Sequence, residues 1–189
     1  MFLTKNNDMK KKKRTFYFIS FFLCLGIIFG IVSVFYHVKY PIKYNDQILA
    51  YSVENDLDPS LVASLINVES SFNANAKSSS GAIGLMQIMP KTGEFVAEML
   101  NEEYKEENLY NAKTNIKYGC RYLKYLKEKF NDEKTVLYAY NAGEGSVKLW
   151  LNNKEYSKDG INLNTVPYKT TSDYVTKILN GQKYYKNRV

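Results

Sequence analysis

The sequence predicts a mainly α-helical domain preceded by a single N-terminal transmembrane helix. Three observations carry that reading. Phe16 to Val38 is a run of 23 residues without an Asp, Glu, Lys or Arg. Beyond residue 45, apolar residues recur at three- and four-residue steps, the helical period. No run alternates apolar and polar residues as a half-buried strand would.

The N-terminal segment sets the topology. At about 1.5 Å per residue, 23 helical residues span a hydrocarbon core of about 30 Å. A cleaved signal peptide has a shorter apolar region and a small-x-small site after it, which this chain lacks, so an uncleaved signal anchor is expected. Lys5, Lys10, Lys11, Lys12, Lys13 and Arg14 precede it and place the N-terminus in the cytoplasm and the rest outside. The expected organisation is a basic cytoplasmic tail (1–15), a single-pass anchor in the cell membrane (16–38), a spacer (39–44) and an extracellular domain (45–189). The net charge of +7 is mostly this tail: residues 1–15 carry +5, and the remainder carries +2, from 20 basic and 18 acidic residues. Nucleic-acid binding loses its main support.

The elements follow in order. Asn45 to Asn55 has helical spacing, with Ile48, Leu49, Tyr51 and Val53 available to pack. Asp58-Pro59 is an N-cap and first-turn signal for a helix through Leu61, Val62, Leu65, Ile66 and Val68. Phe72 to Gly84, rich in Asn, Ser, Ala and Gly, reads as a loop. Pro90 starts a helix to about Leu100, and the acidic stretch Glu102 to Glu107 reads as a solvated turn. Thr114 to Phe130 is a long amphipathic helix with Ile116, Cys120, Leu123, Leu126 and Phe130 on one face. Glu133 to Tyr140 and Ser146 to Leu151 are short helices separated by Gly143 and Gly145. Asn152 to Thr165 is a loop, and Thr171 to about Lys183 closes the chain as a helix.

One position breaks the pattern. Glu69 lies on the apolar stripe of the Pro59 helix, one turn beyond Leu65 and Ile66. A buried, unpaired carboxylate holds its proton more tightly and can act as a general acid near neutral pH. The competing reading is a structural Glu that pairs with a Lys or Arg, or snorkels out at the helix end. The rest of the inventory narrows the chemistry. His37, the only histidine, sits at the membrane edge, removing Ser-His-Asp triads, Cys-His pairs and histidine-based zinc from the domain. Cys24 lies in the apolar run and Cys120 in the domain, so no disulfide framework exists. Neither cofactor nor metal is expected; carboxylates, hydroxyls, amides and phenols remain, an inventory that fits glycoside and other acid-driven cleavages.

The segments Val68-Glu69-Ser70-Ser71-Phe72, Gly81-Ala82-Ile83-Gly84-Leu85-Met86-Gln87-Ile88-Met89-Pro90 and Ala139-Tyr140-Asn141-Ala142-Gly143 resemble the Slt-type lytic transglycosylases, glycoside hydrolase family 23. The resemblance covers about residues 44–185, including Leu57-Asp58-Pro59, Thr114-Asn115-Ile116-Lys117-Tyr118-Gly119 and Val166-Pro167-Tyr168. It implies a goose-type lysozyme-like fold and cleavage of the MurNAc-β-1,4-GlcNAc bond of peptidoglycan. In the family, the glutamate matching Glu69 is the sole catalytic acid and base. It protonates the leaving oxygen and then takes the C6 hydroxyl proton of the same muramic acid, which closes onto C1 as a 1,6-anhydro end. No second carboxylate lies in a recognised motif, and assistance by the substrate acetamido group is a known exception to the two-carboxylate rule.

The resemblance carries further positions over singly, as substrate-binding residues. Ser70 holds substrate or carboxylate, against a serine capping its own helix turn. Gln87 donates to sugar oxygens, against an amide satisfying the loop backbone. Met86 packs under the cleft or lines it, and Tyr140 lies near the acid or the muramoyl unit, beside Asn141. Tyr168 fits the family's Pro-Tyr position and Tyr174 its later Tyr-Val position. Where relatives commonly have Glu-Thr after Pro-Tyr-x, this chain has Thr170-Thr171, which removes a carboxylate from the outer polar network. The alternatives are a muramidase that admits water at C1 and a non-catalytic glycan-binding scaffold module. Expected partners are peptidoglycan strands and, through the anchor, the membrane, with secretion, conjugation or wall-remodelling machinery as candidates.

Overall fold

A computed structural model describes residues 2–189, with side chains from Arg14 onward. The chain divides into two compact units, Met1–Tyr40 and Pro41–Val189. The first is helix α1, Phe2–Lys39, which runs beyond both ends of the expected span. Its segment Arg14–Lys39 is long and apolar enough to cross a membrane, and its large apolar side chains, Phe22 and Phe29 among them, are exposed rather than packed on protein. Lys5 and Lys10 to Lys13, the basic part of the expected tail, lie outside the described side chains.

The second unit is helical: α2 (Asn45–Glu54), α3 (Pro59–Ser70), α4 (Pro90–Met99), a 3-10 turn (Glu106–Tyr110), α5 (Ala112–Lys129), α6 (Glu133–Ala142), α7 (Glu144–Leu151) and α8 (Lys169–Tyr185). Among the described residues, strand-type pairing is limited to isolated bridges of Lys77 with Ile83 and Ile83 with Ile88.

Local chemistry explains most boundaries. The Asp58 side chain caps α3, accepting from the Ser60 amide at 2.8 Å, and Pro59 supplies the first helical φ. Asn111 and Asp132 cap α5 and α6 by accepting from the amides of Thr114 and Thr135, each at 3.1 Å. Gly143, at φ 88°, forms the elbow between α6 and α7. Gly145, expected to help separate them, lies inside α7 instead, because one left-handed residue suffices for the turn.

Helix α3 is the core element. Leu61 through Ile66 are all buried, so it is covered on every side rather than along one stripe. It packs chiefly on α8 and also on α2, and the Ser64 hydroxyl donates to the Ile178 carbonyl of α8 at 2.6 Å. On α2, Ile48 and Ser52 are fully buried, whereas Leu49 and Val53 are 49% and 68% exposed, contrary to expectation. Residues four apart share a helix face, so the register that buries Ile48 with Ser52 turns Leu49 and Val53 outward. The acidic stretch contributes Glu106 and Glu107 to the 3-10 turn, while Glu102 pairs with Lys117.

Candidate active site

Glu69 occupies the last turn of α3, and the chain leaves that helix abruptly. Ser71 and Phe72 both adopt left-handed φ, 50° and 62°. Such residues cost on the order of 1–3 kcal/mol each and persist only where packing overrides them. Here the anchor is the Phe72 ring, 1% exposed and 6.2 Å from the ring of Tyr185. Helix α3 therefore stops immediately after the acid.

The environment of Glu69 is apolar and short of cations. Burial raises its pKa to about 7, and the one opposing influence is a hydrogen bond donated by the Tyr174 hydroxyl to Oε1 at 2.6 Å. Its place at the negative end of the α3 dipole acts in the same direction as burial. Among the described residues, no Lys or Arg is ion-paired with it. The paired structural carboxylate, one of the competing readings, is therefore not what this fold builds.

Loop 81–90 lies beside this helix end and is held by one side chain from each of three helices. From α3, the Ser70 hydroxyl donates to the Leu85 carbonyl at 2.8 Å, with Ile66 O at 3.2 Å as a weaker alternative. From α6, the Tyr140 hydroxyl donates to the Met86 carbonyl at 2.8 Å. From α5, buried Asn115 accepts the Met86 amide at 2.7 Å and donates to the carbonyls of Ile83 (2.9 Å) and Leu109 (2.7 Å). Gly84 is the residue this clasp requires. Its φ is +79°, and a Cβ there would stand 2.2 Å from Asn115 Nδ2 and 2.4 Å from the Leu109 carbonyl.

The sequence-predicted residues separate into groups. Ser70 and Tyr140 meet at the Leu85-Met86 peptide, and the charge of Glu69, the residue before Ser70, is felt by Tyr140. Burial first, and then the charge of Glu69, raise the Tyr140 pKa well above that of an ordinary phenol; the same holds for Tyr174. Both phenols thus remain hydrogen-bond donors. Ser70 directs its proton to the loop rather than to the carboxylate. Met86 is fully buried and lies against Gly119, where a Cβ would meet its Sδ at 2.2 Å. Its side chain has no surface with which to touch a glycan, which corrects its place among the substrate contacts; the sulfur fills the floor. Gln87, at φ 46°, donates to the carbonyls of Gly84 (2.9 Å) and Ala76 (3.3 Å). Asn141 is exposed, and Tyr168, 60% exposed, leans edge-to-face on Trp150 at 6.0 Å. Neither shares a hydrogen bond with the Glu69 cluster among the described residues.

Two residues matter more than the sequence reading allowed. Tyr174 is the direct partner of Glu69, signalled only by the Tyr-Val resemblance on α8. Asn115 is the hub of the loop, signalled only by its place in the Thr114-Asn115-Ile116 segment. A cavity of about 310 Å³ lies elsewhere, around Leu57, Asp58, Leu61, Phe130, Asp132 and Val136. Leu61 and Glu69 are eight residues apart on α3, about 12 Å along its axis.

Residues 46–163 match the transglycosylase SLT domain. The chain belongs to that family. Relatives of the SLT domain chain include the soluble lytic murein transglycosylase of Salmonella typhimurium, 33% identical over 153 residues that make up 79% of this chain and 24% of the relative. Membrane-bound lytic murein transglycosylase C of Histophilus somni is 32% identical, over 69% of this chain and 42% of its own. The crystal structure of the 70 kDa soluble lytic transglycosylase of Escherichia coli superposes with a TM-score of 0.70 at 30% identity, covering 82% of this chain and 26% of that one. A 70-kDa soluble lytic transglycosylase in complex with bulgecin A also superposes, with a TM-score of 0.70 at 30% identity. The lysozyme-like SLT fold is thus shared, while this chain spans about a quarter of the length of the soluble relatives. Tyr174 and Tyr168 lie beyond the matched SLT residues, on or next to α8.

Proposed function

We propose that the Pro41–Val189 unit is a peptidoglycan lytic transglycosylase in which Glu69 acts first as acid and then as base. The observation that carries this reading is a carboxyl group with a pKa of about 7, raised by burial, whose one opposing partner is a neutral phenol. Near neutral pH about half of such groups carry the proton required by the leaving glycosidic oxygen. As the C1–O bond breaks, Glu69 gives up that proton, and the hydrogen bond from Tyr174 stabilises the resulting carboxylate. The carboxylate then takes the proton of the C6 hydroxyl while O6 bonds to C1. The enzyme returns to its starting state, and no water is consumed.

The relatives' names support murein as the substrate. Clasping of loop 81–90 by Ser70, Tyr140 and Asn115 supplies a rigid wall beside the acid, which fits the requirement for a positioned reactant. Helix α1 serves in this reading as an uncleaved signal anchor, with the N-terminus cytoplasmic and the catalytic unit facing the wall.

The test is mass analysis of products from purified peptidoglycan. Anhydro ends, lighter than reducing ends by one water, are expected from the wild type and absent with Glu69→Gln. Reducing ends alone would convert the reading to a muramidase. Equal digestion by both proteins would remove Glu69 from the chemistry.

A further inference from the structure

The end of α8 is tied to the start of the Pro41–Val189 unit. The Tyr185 hydroxyl donates to the Pro41 carbonyl at 2.9 Å, and Asn45 Nδ2 donates to the Arg188 carbonyl at 3.2 Å. Only Tyr40 to Tyr44 lie between the apolar helix α1 and helix α2. At about 3.5 Å per residue these reach roughly 17 Å at full stretch. The surface around the two bonds therefore stays within one short tether of the end of α1.

That surface is basic, aromatic and apolar together. Lys43, Lys183 and Lys186 are exposed, and among the described residues none of the three forms an ion pair. Arg188 lies over the Tyr185 ring at 5.8 Å, Tyr184 is 40% exposed, and Asp46 is the acidic side chain in the first turn of α2. Asn45, Leu49 and Val53 follow one another at four-residue steps along α2, so the two outward apolar side chains continue the line that starts at the Arg188 contact. Each trait has a counterpart at a bilayer surface. Lysine and arginine pair with lipid phosphates, tyrosine settles at headgroup level, and outward Leu and Val enter the acyl boundary. Two apolar side chains and a few cations hold a free protein to a membrane only weakly, but a short tether raises their effective concentration to the millimolar range, where weak contacts suffice.

We propose that Lys43, Lys183, Lys186 and Arg188, with Tyr184, Leu49 and Val53, dock the Pro41–Val189 unit on the outer leaflet of the membrane that holds α1, through the phosphates of anionic lipids. This rests on the anchor reading of α1 and not on the chemistry of Glu69. Docking fixes one orientation of the unit, so Glu69 meets glycan at a set height above the bilayer instead of sweeping the volume a loose tether allows.

The test uses the full chain, one copy per nanodisc, with a nitroxide label at Val53→Cys or, for comparison, at Leu149→Cys on α7, which is 72% exposed. Cys24→Ala removes the exposed native thiol, and Cys120 is fully buried. In discs of phosphatidylcholine with roughly one part in three phosphatidylglycerol, the label at 53 should be at least about threefold less accessible to a water-soluble nickel relaxant than the label at 149. Lys183→Glu with Lys186→Glu, or discs of phosphatidylcholine alone, should bring the two labels within about twofold of each other. Lys43→Glu, outside any helix, supplies the same kind of charge change if α8 does not tolerate the reversal. Equal access at both labels in anionic discs would overturn the proposal. So would protection indifferent to these charges, or protection found only in discs with two copies, which would assign the face to a second copy. A chain that never enters discs would overturn the anchor reading and the proposal together. A wild type protected at position 53 that cleaves no wall would sink the transglycosylase reading and leave the docking face standing.

Discussion

Replacing Glu69 by Gln should stabilise the protein, and by an amount that grows with pH. The folded-state pKa is about 7, against 4.5 for an unperturbed glutamate. Because the folded value is raised, the contribution of this group to stability is fully present below about pH 4.5. It is lost as pH rises through 7, where the folded protein must either keep a proton that the unfolded chain releases or bury a charge. Linkage gives about 1.4 kcal/mol per pH unit across that interval, or about 3 kcal/mol in all. Gln has no proton to lose, is similar in shape, and still offers an oxygen to the Tyr174 hydroxyl. The difference between variant and wild type should therefore be small at pH 4 and reach about 3 kcal/mol by pH 8, an increase in the Tm difference of about 6–12 °C for a domain of this size. Trp150, the single tryptophan and 7% exposed, reports the transition by fluorescence. A Tm difference that stays flat between pH 4 and 8, or shrinks, would show that Glu69 is solvated and ordinarily acidic.

Other consequences follow from the same contacts. Activity should fall as pH rises through about 7, and Tyr174→Phe should move that alkaline limb upward, since the hydrogen bond that favours the carboxylate is gone; pH profiles of kcat/KM check it. Asn115→Ala leaves the Met86 amide and the Leu109 carbonyl unpaired, while the Ile83 carbonyl keeps the Ile88 amide; at about 1 kcal/mol or more for each buried orphan it should cost about 2 kcal/mol in denaturant titration. Gly84→Ala combines a steric clash with positive φ and should destabilise by about 2–4 kcal/mol, with activity lost before global unfolding. The full chain should remain with membranes through alkaline carbonate washing, while protease added from outside should digest the Pro41–Val189 unit.

How legible this protein is depends on the range of the interaction concerned. Helices α3 and α5 could be placed within a few residues because their signals are local: Asp58-Pro59 marks the start of α3, and the apolar spacing of α5 follows one helical period. Glu69 stood out for the same reason, as a carboxylate in a stripe that periodicity alone marks for burial. Nothing local distinguishes Leu49 from Ile48, or Met86 the floor residue from Met86 the sugar contact; these depend on which neighbours arrive from elsewhere in the chain.

Order along the polymer was enough to establish a helical SLT domain behind an apolar N-terminal helix and to single out one anomalous acid. Folding in three dimensions decided how that acid is tuned. Tyr174 reaches it from 105 positions away, and Asn115 grips the loop beside it from 29 positions beyond Met86. Proton affinity depends on the water, dipoles and donors within a few ångströms of a group, and that neighbourhood exists only once α3, α5, α6 and α8 have closed around it.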